Sequence, residues 1–73
     1  MSLSKLDNLI RMANQIRANM DQAHNDELTA GVVADHLTRF WSRPMKNMII
    51  EYNDTDGERL DPVTKTAISQ LPR

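Results

Sequence analysis

The apolar residues of this chain recur three and four positions apart in four separate segments, a spacing typical of amphipathic helices. The alternation of apolar and polar residues that would indicate a strand fails where Leu9 and Ile10 stand side by side. Only two glycines, Gly31 and Gly57, are available for turns, and an all-β domain of this size would need more. The sequence therefore predicts an all-α fold, a small bundle of about four short helices in a single domain over residues 1–73.

The predicted helices begin next to residues that commonly cap helices. Ser4 and Asp7 have the spacing of a capping box, and Ser42 and Asp61 precede prolines that suit a first helical turn. The first, third and fourth helices are predicted at about residues 5–20, 43–52 and 62–71, and the second begins after Asp26 or Thr29 and runs through Trp41. Residues 21–28 are interpreted as a connection.

Three residues do not fit the helix patterns simply. Arg17 lies on the apolar face of the first helix, so either its guanidinium reaches water while its stem packs, or the face continues into a partner that carries a carboxylate. Gly31 interrupts the second helix at a cost of about 1 kcal/mol relative to Ala, and we interpret it as allowing close helix packing. Ile50 points away from the apolar stripe of the third helix, so it either meets the fourth helix or is exposed to a partner.

The chain is short and has no cysteine. A domain of this size buries only about 60% of the surface of its unfolded chain, and such domains often need a disulfide, a metal or a partner. Disulfides and thiolate metal sites are excluded, and the composition suits a reducing compartment. No segment has the roughly 18 apolar residues that span a bilayer, and the N-terminus lacks an apolar signal core, so we predict a cytoplasmic protein without membrane contact. Residues 1–3 can be a remnant of recombinant expression and carry no weight.

The sequence predicts no catalytic, cofactor-binding or metal-binding residues. His24 and His36 are too far apart for a helical metal pair, and His36 is interpreted as a partly buried structural residue. No serine stands in a nucleophile-elbow motif. Residues 54–57 resemble part of a calcium-binding loop, but aligning the glycine with position six places Tyr52 at position one and Val63 at position twelve, where the strongest ligands should stand.

The break between the second and third helices combines residue types that are enriched at protein interfaces. The predicted partner-binding residues are Arg39, Phe40, Trp41, Arg43, Pro44 and Met45. Trp41 fits the core and the interface equally well. Four amphipathic helices this small leave surplus apolar surface, to which the flexible methionines contribute, and such a surface implies a partner protein or a homo-oligomer.

Three cations around the same break offer an alternative function. Arg39, Arg43 and Lys46 could bind phosphate or a nucleic-acid backbone, helped by the N-terminus of the third helix. The net charge of -1 lacks the basic excess of most nucleic-acid-binding proteins, so nucleic acid is the less favoured partner. Two alternatives to docking on a larger protein remain. One is a small helical regulator that binds nucleic acid, and the other is a self-associating helical module.

Three segments, residues 8–16, 36–45 and 60–63 with the helix that follows, resemble in order and spacing the delta subunit of NAD-dependent, molybdenum-containing formate dehydrogenases. The central segment includes the Phe-Trp pair and a methionine four residues after the tryptophan. Pro44 stands three residues after the tryptophan, whereas the family usually has a proline two residues after it. The resemblance covers about residues 5–71.

This resemblance implies a non-catalytic accessory subunit whose partners are the large subunits of formate dehydrogenase. It also implies that molybdopterin, the iron–sulfur clusters, flavin and NAD lie in those partners and that this chain holds no cofactor. The chain agrees, since it has neither a cysteine for a cluster nor a nucleotide-binding glycine loop. The implied role is support of assembly, stability or cofactor insertion, and no catalytic residue is carried over.

Overall fold

A computed structural model describes residues 4–21 and 24–72, and the described chain folds into helices, which confirms the all-α prediction. The helices are α1 (Lys5–Asn19), α2 (Asp26–Phe40), α3 (Arg43–Thr55) and α4 (Pro62–Ser69). The third helix is longer than predicted and the fourth is shorter. None of the described helices combines the length and the apolar character that crossing a membrane requires. The interpretation of residues 1–3 falls outside the described residues.

Each helix begins with a side chain that accepts a hydrogen bond from a backbone N–H of the first turn. Ser4 Oγ accepts from Asp7 N at 3.0 Å, and the Asp7 carboxylate accepts from Ser4 N at 3.2 Å, which completes the predicted capping box. Ser42 and Asp61 cap α3 and α4 as predicted. Asn25 caps α2 with an acceptor distance of 2.9 Å, one residue before the earlier of the two predicted positions, Asp26, and four before Thr29. Local sequence signals therefore fix the helix starts.

Every helix contributes to one cluster of buried apolar side chains, whose largest fully buried members are Val33, Leu37, Ile49 and Ile68. Both α1 and α4 pack against all the other helices, and the contact between α2 and α4 is the most extensive. In contrast, α2 and α3 hardly touch each other. The core thus depends on α4, which has only eight residues and is too short to be stable as an isolated helix.

The loop before α4 is held to the rest of the chain by side-chain hydrogen bonds, which we call the α1–loop clasp. Asn14 on α1 donates to Arg59 O at 3.0 Å and accepts from Asp61 N at 2.9 Å. Arg59 Nη1 donates to the Asp7 carboxylate at 2.6 Å, and the Tyr52 hydroxyl accepts from Arg59 N at 3.0 Å. The clasp consists of Asp7, Asn14, Tyr52, Arg59 and Asp61, and it fixes where α4 begins.

Arg17 adds two ion pairs beside the clasp. Its Nε lies 3.5 Å from Asp61 Oδ1, and its Nη2 lies 3.9 Å from Asp26 Oδ1. About a quarter of the side chain is exposed. The carboxylate that one sequence-based interpretation assigned to a partner thus comes from the chain itself. Arg17 connects α1 to the N-terminal ends of both α2 and α4.

The structure requires a glycine at position 57 but not at position 31. A Cβ atom built on Gly31 would meet no atom of the described chain within 4 Å beyond its own helix backbone and chain neighbours, so the prediction of close helix packing there is wrong. Gly57 has a φ of 63°, and a Cβ there would lie 3.1 Å from Asn53 O. Its N–H donates to Tyr52 O at 3.0 Å, which ends α3. Ile50 is buried, which excludes its exposure to a partner.

Substitution of the two glycines should change stability in opposite directions. We expect Gly31→Ala to raise the free energy of unfolding by up to about 1 kcal/mol, because alanine loses less entropy in a helix and meets no neighbour. Gly57→Ala should lower it by roughly 1–2 kcal/mol, since a left-handed backbone is strained with a Cβ. Urea unfolding followed by circular dichroism measures both, and the same sign for both variants would contradict the assignment.

The clasp should make stability depend on acidic pH. Hydrogen bonds from Arg59 and then from Ser4 lower the pKa of Asp7 below its usual 3.8 in the folded chain. The ionised Asp7 therefore stabilises the folded state above the unfolded pKa, and this contribution is lost as pH falls through the lowered folded pKa. We expect the urea midpoint of Asp7→Asn to decrease less than that of the wild type as pH falls below about 4.

Glu58→Gln is the matched control, because Glu58 is exposed and forms no ion pair within the part of the chain described. A pH profile of Asp7→Asn that coincides with the wild-type profile would show that the Asp7–Arg59 pair does not contribute in solution.

Candidate partner-binding surface

The α2–α3 corner, residues 39–45, is formed by a very short connection between two helices. Trp41 ends α2 with an extended backbone, and its N–H still donates to Leu37 O at 3.0 Å. Ser42 is also extended and caps α3. Trp41 lies four residues after the buried Leu37 and continues its side of α2, whereas Phe40, the last residue of the helix, lies on the other side. Trp41 is 6% exposed, whereas Phe40 is 71% exposed.

The structure brings five of the six predicted binding residues to the surface of this corner. Arg39, Phe40, Arg43 and Pro44 are exposed, and Met45 is half-buried against the core. Trp41 is the exception, because its side chain belongs to the core of the chain itself. It supports the corner from beneath. The binding role of the corner stays a prediction.

Phe40 is held in place by an aromatic neighbour. Its ring centroid lies 4.8 Å from that of His36, with the planes inclined by 45°. This distance and tilt are typical of favourable aromatic pairs. His36 is half-buried, as predicted. An exposed ring that is already oriented loses less side-chain entropy when a partner covers it.

Two of the three cations at the corner are engaged within the chain. Arg39 Nε lies 3.2 Å from the Asp35 carboxylate, and Lys46 Nζ donates to Thr38 O at 3.1 Å. Only Arg43 has no partner among residues 4–21 and 24–72. A phosphate or nucleic-acid site normally uses several free cations. The geometry therefore does not favour nucleic acid as the partner.

A second exposed apolar surface on α2 was not predicted from the sequence. We call it the α2 groove, and its lining residues are Asn25, Glu27, Leu28, Gly31, Val32 and Asp35. Leu28 is 53% exposed, although the sequence had placed it in a connection. The four-residue spacing of Leu28, Val32, His36 and Phe40 is the signal that could have identified this side of the helix.

The structure gives no support to a metal site in the part of the chain that it describes. Residues 4–21 and 24–72 contain no group of three or more His, Asp or Glu side chains placed to hold a metal ion. The acidic segment 54–57 also differs from the predicted loop, since α3 continues through Thr55. Helical backbone there does not provide the geometry of a calcium loop.

The fold and the corner define a class: a small all-helical protein that exposes an oriented aromatic ring where α2 ends, with Arg43 at the start of α3 unpaired among the described residues. Comparison with known protein families gives a match over residues 8–68 to the NADH-dependent formate dehydrogenase delta subunit FdsD. This match covers most of the chain, so the chain belongs to that family, as its resemblance predicted. Searches of the curated proteins and of the solved structures gave no significant match.

Adjacent substitutions at the corner should separate core from surface. Trp41→Ala should lower the free energy of unfolding by about 3–5 kcal/mol, enough to unfold much of a marginal domain. Phe40→Ala should change it by less than about 1.5 kcal/mol, mainly through its loss of the His36 contact. Thermal unfolding of both variants tests this difference, and a Trp41→Ala protein as stable as wild type would place Trp41 outside the core.

Proposed function

We propose that this chain is a non-catalytic accessory subunit that docks onto the large subunits of formate dehydrogenase and supports their assembly, stability or cofactor insertion. The family match over residues 8–68 carries the proposal. In this proposal molybdopterin, the iron–sulfur clusters, flavin and NAD belong to the partner subunits, as the family resemblance implies. The lack of cysteine in this chain agrees with this for the clusters. We also propose that the complex is cytoplasmic, since the lack of cysteine suits a reducing compartment.

The α2–α3 corner is the proposed docking surface. Phe40 offers a large exposed ring that His36 already orients, and Arg43, at the start of α3, offers a charge that has no partner among residues 4–21 and 24–72. Aromatic and arginine side chains dominate the energetics of many interfaces. Covering the Phe40 ring contributes about 1.5–3 kcal/mol, provided that the partner packs well. The buried Trp41 gives the corner a rigid base.

Co-expression with the large subunits tests both the partner and the surface. We expect the tagged wild-type chain to recover them. We expect Phe40→Asp to weaken capture by roughly tenfold or more, because a carboxylate replaces the ring that the partner covers in the complex. Met12→Asp is the matched control, since Met12 is also an exposed apolar residue but lies on α1. Circular dichroism of both variants tests whether they fold like the wild type.

Failure of the wild-type chain to recover any large subunit would contradict the proposed function, and a dimer in sedimentation would then favour self-association. Unchanged capture by Phe40→Asp would contradict the corner alone. The supporting role is tested by expressing the large subunits with and without this chain. Equal yield, molybdenum content and formate oxidation in the two preparations would exclude it.

A further inference from the structure

The α2 groove lies on the same helix as the corner but has a different chemistry. Its lining includes Leu28, Gly31 and Val32, together with the charged residues Glu27 and Asp35. No cation lines it. The two carboxylates are eight positions apart, which corresponds to about 12 Å along the helix axis. The groove is therefore an apolar strip with Glu27, which has no ion pair among the described residues, at one end and the Asp35–Arg39 pair at the other.

Gly31 has no role within the described chain that requires glycine. Only Gly57, of the two glycines, has a positive φ, and a Cβ on Gly31 would meet nothing within 4 Å outside its own stretch of helix. Glycine in the middle of a helix is destabilising, so neither backbone geometry nor internal packing explains it. The missing side chain leaves room for another backbone to approach α2 closely.

The charges of the groove determine which occupant fits. Glu27 has no ion pair in the described ranges, and Asp35 is paired only with the exposed Arg39. If α2 of a second copy crossed at Gly31, Glu27 would face Asp35 of that copy in the antiparallel arrangement and the other Glu27 in the parallel one. Parallel copies would place like charges opposite each other, and in the antiparallel arrangement Asp35 is already paired with Arg39, the only Lys or Arg of α2. Neither arrangement offers Glu27 an unpaired cation. A second copy of the chain is thus a poor occupant.

We propose that the α2 groove binds an amphipathic helix of a large subunit, with apolar residues on Leu28 and Val32 and with Lys or Arg opposite Glu27. The helix crosses α2 at Gly31, where the backbones approach most closely. This inference rests on the proposed function, because it takes the partner from the same complex. It adds a second contact to the corner and states the chemistry of the segment that is bound.

Photo-crosslinking in the co-expressed complex identifies the occupant directly. A photo-reactive amino acid replaces Leu28, which is exposed in the groove, and the same substitution at Glu58, exposed in the loop before α4, is the control. We expect position 28 to crosslink to a helical segment of a large subunit with Lys or Arg within two turns of the crosslinked residue. The control position should not label that segment.

Two variants test the fit and the charge. Gly31→Leu should weaken capture of the large subunits by roughly tenfold while the free chain stays folded, because its side chain occupies the crossing point. Glu27→Lys should weaken capture several-fold at low salt and less at high salt, since the lost attraction is screened. Glu58→Lys makes the same charge change outside the groove and should leave capture unchanged.

The outcomes separate this inference from the proposed function. If the unmodified chain fails to capture the large subunits, the proposed function is overturned. If the unmodified chain captures the large subunits, the groove inference is overturned when position 28 labels a second copy of the chain, labels a segment without Lys or Arg, or labels nothing. Capture by Gly31→Leu at the wild-type level would also overturn it.

Discussion

Asn14 on α1 binds the backbone on both sides of Leu60, donating to Arg59 O and accepting from Asp61 N, and the position of α4 depends on this pair of hydrogen bonds. An eight-residue helix gains too little from its own hydrogen bonds to form alone. Asp61 caps α4 through its carboxylate, and Arg17 pairs with the same carboxylate. The polar contacts thus fix the start of α4, and burial of its apolar face supplies the stabilising free energy.

The helices and their caps could be predicted because they depend on local signals: apolar spacing, and Ser or Asp before a first turn. The partners of Arg17 could not, because they lie on helices whose packing no local pattern determines. Gly31 was misinterpreted for the same reason. The contrast between Phe40 and Trp41 does follow from local spacing. Trp41 continues the buried positions Val33 and Leu37, whereas Phe40 lies four residues after His36 on the other side of the helix.

The groove on α2 and the corner that follows it differ in chemistry. The groove, at the N-terminal half of α2, is apolar with the unpaired Glu27 at one end, and the corner presents the exposed ring of Phe40, with Arg43 at the start of α3. A partner that covered both would need basic residues at one end of its contact surface and an apolar pocket at the other. Such an ordered pattern favours one orientation of binding, which is how charge arrangement contributes specificity more than affinity.

The central position of α4 also affects the order in which the chain can fold. During synthesis the first three helices leave the ribosome before the residues that fill the space between them, and α2 and α3 hardly touch each other. Although α1 packs against both, much of the apolar surface of α2 and α3 remains uncovered until residues 60–71 emerge, because those residues complete the core. The chain therefore folds only after most of it has been translated. A protein that recognises its folded surface would bind it after synthesis rather than on the ribosome.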